Sequence, residues 1–322
     1  MKFERVVVTG CLGFIGSVMV KKLIFDEPEI EVIGVTRCTD MKNLKRLEPI
    51  LGAEENQAKF KLVVMDINDT NFAEILEGAD VLINFAAKTF VDHSIRDPKP
   101  FMESNIMGTY NLLEAVRKYP VSLFCQVSTD EVYGACTGEA HKEDSPLNPT
   151  NPYASTKAAA DMLCLAYEKT FGIPMLITRT ENNYGPYQHP QKLIPAFVKK
   201  ALNDQKLPVY GDGKQSRMWL RVEDHVEAIW HLIKRGETGI FHVAGGQELE
   251  NIELTKILLK TLGKPESLIN FIDDSKIRPN HDRRYALNAD KLRATGWEPK
   301  FDMTMGIQET VSWFAQNKWW LI

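Results

Sequence analysis

Arg5-Val6-Val7-Val8-Thr9-Gly10-Cys11-Leu12-Gly13-Phe14-Ile15-Gly16 decides the fold of this chain. The run Val6-Val7-Val8 has the signature of a short buried strand. Glycines then stand at positions one, four and seven of the following turn, as Gly10, Gly13 and Gly16. Beyond them Val18, Met19, Leu23 and Ile24 recur on one helical face. A glycine triplet alone is a weak signal; between a strand and a helix it marks a dinucleotide-binding loop. Glycines let the backbone turn tightly and approach a pyrophosphate, and the helix N-terminus supplies N–H groups and positive potential. Gly10, Gly13, Phe14, Ile15 and Gly16 are therefore cofactor-binding candidates.

Working outward, Glu31 to Val35 reads as the second strand. An acidic residue is expected at its end, on the adenosine ribose hydroxyls. Thr36 and Arg37 stand there instead. Threonine lacks the carboxylate that repels a 2′-phosphate, and Arg37 can pair with one. The cofactor is thus NAD or NADP, with NADP tolerated or preferred; the alternative is that Arg37 lies over the adenine or points to solvent. Leu62 to Met65 reads as a third strand ending in Asp66-Ile67, with Asp66 a candidate for the adenine edge or a turn residue. Val81 to Ala87 reads as a fourth, whose small Ala86 and Ala87 let a cofactor lie close to the backbone. An amphipathic helix is expected over Pro100 to Arg117, with Asn105 bracing the active-site strand. Val121 to Val127 and Met175 to Thr178 read as further strands. This alternation predicts an α/β fold, a Rossmann-like doubly wound parallel sheet. Farther on, strands shorten and turn signals appear at Gly211-Asp212-Gly213 and Gly245-Gly246. The expected division is an NAD(P)-binding domain over residues 1–180, with 222–245 returning to it, and a smaller C-terminal α/β substrate-binding part over 181–322.

The 322 residues give ample core for this plan. A net charge of -4 without a basic tract gives no reason to expect nucleic acid as partner. Cys11, Cys38, Cys125, Cys136 and Cys164 form no Cys-x-x-Cys, which argues against a disulfide framework or a zinc site. Cys125 and Cys164 read as small core residues. A reducing, cytoplasmic compartment fits. The histidines show no metal-ligand spacing, and no metal is expected. The N-terminus enters a strand within a few residues of Met1, and no signal sequence is expected. No apolar run approaches membrane-spanning length, so no membrane contact is expected. Trp319-Trp320-Leu321-Ile322 reads as a tail packed on the body, the alternative being a membrane or partner contact.

A second stretch carries chemistry. The Val121–Val127 run places Thr129, Asp130 and Glu131 at the carboxyl end of a strand, where open α/β sheets bind ligands. Tyr153 and Lys157 stand four apart at the start of a helix and share one face. A nearby ammonium favours phenolate, making tyrosine a usable base near neutral pH. Two adjacent carboxyls offer one acid and one base if their environments differ. Each piece has a bland reading: Tyr-x-x-x-Lys is common on helix surfaces, and Asp-Glu after a strand is often a turn.

Together these residues resemble the extended short-chain dehydrogenase/reductase superfamily, within it the nucleotide-sugar 4,6-dehydratases of the dTDP-glucose 4,6-dehydratase type. The resemblance rests on Thr129-Asp130-Glu131-Val132-Tyr133-Gly134, Tyr153-Ala154-Ser155-Thr156-Lys157, Asn182-Asn183-Tyr184-Gly185-Pro186-Tyr187, Arg217 and His281-Asp282-Arg283-Arg284-Tyr285. The Asp-Glu pair matters most, because simple 4-epimerases of the superfamily lack it. Two departures stand out: Thr36 replaces the usual acidic residue, and Lys88-Thr89-Phe90 replaces Glu-Ser-His. The resemblance implies dehydration of dTDP-glucose or UDP-glucose to the 4-keto-6-deoxy sugar, with a tightly held cofactor. Tyr153 would take the C4 hydroxyl proton while NAD(P)+ takes the C4 hydride, which later returns to C6. Lys157 would keep the tyrosine ionised and grip the nicotinamide ribose, Thr129 would bond the C4 oxygen, Glu131 would remove the C5 proton and Asp130 would protonate the departing C6 hydroxyl. It further implies substrate contacts from Lys88, Asn182, Lys192, Pro208, Tyr210, Arg217, Asn251, Arg278 and His281, and a homodimer. Arg283 and Arg284 read as surface ion pairs, and Met102, Met107, Met162, Leu163 and Leu165 as core or dimer interface. The competing readings are a nucleotide-sugar 4-epimerase or decarboxylase, and a non-catalytic NAD(P)-binding regulator.

Overall fold

A computed structural model describes residues 2–245, 247–273, 275 and 282–322. The strands in chain order are β1 (Arg5–Thr9), β2 (Glu31–Thr36), β3 (Phe60–Val64), β4 (Val81–Asn84), β5 (Leu123–Thr129), β6 (Met175–Thr180), β7 (Asn182–Tyr184), β8 (Leu207–Tyr210), β9 (Ser216–Arg221), β10 (Gly239–Val243), β11 (Glu248–Glu250) and β12 (Ile269–Ile272). The helices of ten residues or more are α1 (Phe14–Asp26), α2 (Gly108–Lys118), α3 (Pro152–Phe171), α4 (Leu193–Leu202), α5 (Val222–Arg235), α6 (Asn251–Thr261) and α7 (Met303–Gln316).

The main sheet has seven strands in the order β10-β6-β5-β4-β1-β2-β3. β1 pairs in parallel with β2 and β4, β2 with β3, and β4 with β5. β4, β5 and β6 are buried along their whole length. Helices covering both faces of a parallel sheet require this, which is why the strands read as continuous apolar runs. The strand order reverses between β1 and β4, where Thr9 lies opposite Asn84. The crevice beyond the carboxyl ends of two such strands is the ligand position of a doubly wound sheet.

Boundaries differ from expectation in places with physical cause. β4 stops at Asn84, because Phe85, Ala86 and Ala87 leave the ladder to pass over the glycine loop. The helix expected over 100–117 is a composite: a helical turn at Lys99–Phe101, a π-helical stretch at Met102–Met107, then α2. α3 begins at Asn151, whose carboxamide oxygen accepts the Ala154 N–H, with Pro152 in the first turn. It ends on Gly172 in the left-handed region.

The chain divides into two compact units, one of Met1–Val132, Leu147–Arg179 and Val226–Phe241, the other of Tyr133–Pro146, Thr180–His225 and His242–Ile322. The first has a core of Val7, Ile33, Leu82, Leu112, Phe124, Cys164 and Ile177 among others, with Leu163 and Leu165 packed against it. Met102, Met107 and Met162 are exposed and belong to no core. In the second, β7, β9 and β11 form one sheet and β8 and β12 another. Its core joins Tyr184, Phe197, Trp219, Leu258, Ile307 and Phe314 to Trp320 from the C-terminal tail. The Trp320 indole N–H donates to the Gln188 carbonyl at 2.7 Å, while Trp319 stays half exposed. No described helix is long and apolar enough to cross a membrane.

Candidate active site

The glycine loop is built for close approach. Gly10 has φ +66°, and a Cβ there would meet the Ala86 N and Phe85 C atoms at 2.9 Å. A Cβ on Gly13 would meet the Gly10 carbonyl oxygen at 2.9 Å, and one on Gly16 would collide with it. Gly13 starts α1 with no side-chain cap, and the Gly13 N–H bonds the Gly10 carbonyl at 2.8 Å. The turn is therefore set for backbone N–H contacts, which suits a pyrophosphate. A buried polar ladder holds the adjoining strands: Thr9 Oγ1 donates to Asn84 Oδ1 at 2.6 Å, and Asn84 Nδ2 donates to Gln126 Oε1 at 2.8 Å. Asn84 Oδ1 also accepts the Ala86 N–H at 3.2 Å, which fixes the Ala86-Ala87 crossing. Phe14 and Ile15 are half-buried at the start of α1.

At the adenosine end, Thr36 spends its hydroxyl locally, donating to the Cys38 carbonyl at 3.0 Å. The Arg37 side chain is 61% exposed, and its guanidinium lies 3.8 Å from the Asp66 carboxylate. Asp66 also accepts the backbone and side-chain N–H groups of Asn68, both at 2.9 Å. It thus shapes the turn after β3. Ile67 is buried, with no room left for a Cβ on Gly108.

Thr129 closes β5, and Asp130 and Glu131 follow in a short 3-10 turn. The Thr129 hydroxyl donates to Asp130 Oδ1 at 3.0 Å and accepts the Glu131 N–H at 3.3 Å. Asn151 Nδ2 donates to Glu131 Oε2 at 3.1 Å. One asparagine therefore caps the helix that carries Tyr153 and holds the Glu131 carboxylate. Its signal in the sequence is Asn-Pro ahead of a helical pattern, and it was missed. Tyr153 and Lys157 are both buried on α3. Burial first, then the Glu131 carboxylate, pushes the Tyr153 phenol well above its ordinary value, opposed by its hydrogen bond to Thr129. The Lys157 ammonium donates to the Val127 carbonyl at 2.7 Å. Burial pulls its pKa down, and the Asp161 carboxylate one turn on opposes that. Burial and the Glu131, Asp130 and Asp161 carboxyls thus raise Tyr153, against the lowering expected from Lys157. Thr129, Asp130, Glu131, Tyr153 and Lys157 all lie in the first unit.

Asn105 ties this group together. Its Oδ1 accepts the Lys88 N–H at 2.9 Å, and its Nδ2 donates to the Lys88 carbonyl at 3.1 Å and to Thr156 Oγ1 at 2.9 Å. Thr156 in turn donates to the Tyr153 carbonyl at 2.7 Å. Asn105 therefore braces the loop after β4 and the start of α3, rather than strand β5. It sits in the π-helical stretch, a deformation that recurs at functional sites.

The described substrate candidates, Lys88 apart, fall in the second unit. Asn182 opens β7 opposite Trp219. Pro208 and Tyr210 lie in β8, half-buried. Lys192 and Asn251 stand at the starts of α4 and α6. Arg217 is buried on β9, with its guanidinium 4.3 Å over the Tyr285 ring. It donates to the carbonyls of Ser216 at 2.8 Å and Asp282 at 2.9 Å, so much of its fork is already engaged. Arg283 forms a two-pronged pair with Asp212 at 2.7 and 2.8 Å, and Arg284 pairs with Glu248. Arg278 and His281 lie outside the described residues.

The GDP-mannose 4,6 dehydratase family matches residues 7–310. The chain belongs to this family. A low-salt glycan biosynthesis protein, Agl12 of Haloferax volcanii, is 40% identical over 311 residues, 96% of this chain and 98% of that protein. A dTDP-glucose 4,6-dehydratase of Xanthomonas campestris is 42% identical over 339 residues, 98% of this chain and 94% of that protein. Among solved structures, DesIV, a dTDP-glucose 4,6-dehydratase from Streptomyces venezuelae crystallised with NAD and TDP, superposes with a TM-score of 0.92. It is 40% identical, and the match covers 98% of each chain. The family's fold is the one found here: a doubly wound parallel sheet.

Proposed function

We infer that the chain is a nucleoside-diphosphate-glucose 4,6-dehydratase, a hydro-lyase that converts dTDP-glucose or UDP-glucose to the 4-keto-6-deoxy sugar. The observation that carries this is the single set formed by Thr129, Asp130, Glu131, Tyr153 and Lys157, with hydrogen bonds linking Thr129 to Asp130 and Asn151 to Glu131. An epimerase needs the tyrosine and lysine; two oriented carboxyls beside them serve elimination of water. Membership of the family and full-length relatives named as dTDP-glucose 4,6-dehydratases support the same reading.

The cofactor is NAD, as in the structural relative, seated on the loop from Gly10 to Gly16. When bound it supplies reversible oxidation at C4 and reduction at C6 of the sugar. Tyr153 takes the C4 hydroxyl proton, and Thr129 orients that oxygen. Lys157 supplies the positive charge that the buried phenolate needs. Once C4 is a ketone the C5 proton is acidic; Glu131, steered by Asn151, removes it. Asp130 gives its proton to the C6 hydroxyl, which leaves as water. A proton on Asp130 also relieves the repulsion that two carboxylates impose on the phenolate. The second unit binds the nucleotide, with Arg217 near its diphosphate.

Two copies associate through the exposed Met102, Met107 and Met162 of the first unit, which no core absorbs. We place the enzyme in the cytoplasm, where its five free thiols persist. The test is incubation of the purified protein with each nucleotide sugar and analysis of the products by mass. Loss of water supports the reading; an isomer of unchanged mass would make it an epimerase instead. Asp130→Asn should allow oxidation while slowing water loss about 10²–10⁴-fold.

A further inference from the structure

α3 carries three ionisable groups four residues apart, Tyr153, Lys157 and Asp161, which places them along one face. The third does not belong to the reaction, yet it is fully buried. Asp161 Oδ2 meets Arg179 Nε of β6 at 2.9 Å, with side-chain exposures of 0% and 2%. Removing charges from water is costly, and buried ion pairs seldom persist for stability alone. A buried lysine on the same face supplies a reason.

We propose that Asp161, clamped by Arg179, is a positioning residue that keeps Lys157 protonated on the helix face it shares with Tyr153. The inference rests on the dehydratase reading for its catalytic consequence, but not for its electrostatic content. Lys157 is buried, and the Val127 carbonyl of β5, to which it donates at 2.7 Å, is neutral. In such a setting the ammonium tends to release its proton, and a neutral amine cannot support a phenolate. The Asp161 carboxylate one helical turn away counters that tendency; burial raises its own pKa, and the Arg179 guanidinium at 2.9 Å and the Lys157 ammonium oppose that rise. Among the described groups, Asp161 is the carboxylate acting on Lys157, and its charge also raises the Tyr153 phenol. Ser128 of β5 faces Asp161 as a neutral hydroxyl. Cys164 of α3 and Cys125 of β5 remain thiols because burial raises both. Glu131 and Asp130 face Tyr153.

The direct test is the Nζ titration of Lys157, followed by NMR on isotope-labelled lysine and assigned by its loss in Lys157→Met. In Asp161→Asn the Lys157 midpoint should fall by about one pH unit or more, the shift an opposite charge at this range produces. The alkaline limb of kcat should move toward acid by the same amount, with KM little changed. A purely structural role would instead lower kcat at every pH and leave both midpoints in place. Because Asp161→Asn leaves Arg179 without its carboxylate, the double variant Asp161→Asn with Arg179→Gln keeps an amide pair and serves as the folded control. The native protein supplies an independent check, since a Lys157 already neutral near pH 7 overturns the proposal. So does an unmoved Lys157 midpoint in a folded variant. If the titration shifts but the wild-type protein releases no water from either sugar, the dehydratase reading fails and the electrostatic role stands.

Discussion

Replacing Asn105 with alanine tests how the loop after β4 is coupled to the helix carrying Tyr153. Asn105 is 2% exposed, and its amide makes three bonds, at 2.9, 3.1 and 2.9 Å, to Lys88 N, Lys88 O and Thr156 Oγ1. At about 1 kcal/mol each, their loss amounts to about 3 kcal/mol. The backbone groups of Lys88 are only partly buried, so water entering the gap would recover some of this, and 2–3 kcal/mol is the expected net, roughly. Thr156 keeps its own bond to the Tyr153 carbonyl, so α3 should stay folded while its anchor to Lys88 is lost. The catalytic consequence is misplacement of Tyr153 relative to the sugar, which should lower kcat more than it raises KM. Urea unfolding of wild type and variant at one fixed NAD concentration measures the first effect, because bound cofactor itself adds stability. Steady-state kinetics measure the second. A variant within about 0.5 kcal/mol of wild type and with unchanged kcat would refute the bracing role.

Gly10→Ala should weaken NAD binding at least tenfold and destabilise the protein. Its positive φ alone costs about 1–2 kcal/mol, and the new methyl would press on Ala86 and Phe85 backbone that cannot yield cheaply; fluorescence titration with NAD reads the effect. His225 is fully buried, neither ring nitrogen has a hydrogen-bond partner, and burial lowers its pKa from 6.5 to about 3. The unfolded state binds more protons across that window, so stability should fall as pH drops from neutrality through it, by up to about 5 kcal/mol. His225→Leu should lose distinctly less stability than wild type between neutral pH and about pH 4, and equal slopes would rule this out.

Local pattern made the frame of the molecule legible. The buried run Val6–Val8, the glycines after it and the helix beyond lie next to one another in sequence, so their meaning is local. Tyr153 and Lys157 are equally local, being one helical turn apart. What the sequence concealed are polar side chains whose partners are remote. Thr9 meets Asn84 75 residues away, and Asn84 meets Gln126 after a further 42. No window of residues shows that these three neutralise one another across β1, β4 and β5. The titration of Tyr153 is concealed differently. Spacing supplies its ammonium neighbour, but not the depth of burial or the closeness of Glu131, and those dominate its titration.

Arg179 shows how such a residue can be found in advance. Reading the strand as ending at Thr178 assumes that a charged residue marks a return to solvent. β6 continues to Thr180, and Arg179 stays inside it. A strand in the interior of a parallel sheet is covered on both faces, so an arginine within its span requires a buried carboxylate. The helix that precedes β6 offers Asp161 on the face already marked by Tyr153 and Lys157. Burial of the strand, the need of its arginine for a partner and the helical period of four therefore converge on one pair. The same reasoning links a feature of folding to a feature of chemistry: α3 brings a carboxylate to the charge at Arg179, and that carboxylate is positioned to act on the lysine one turn before it.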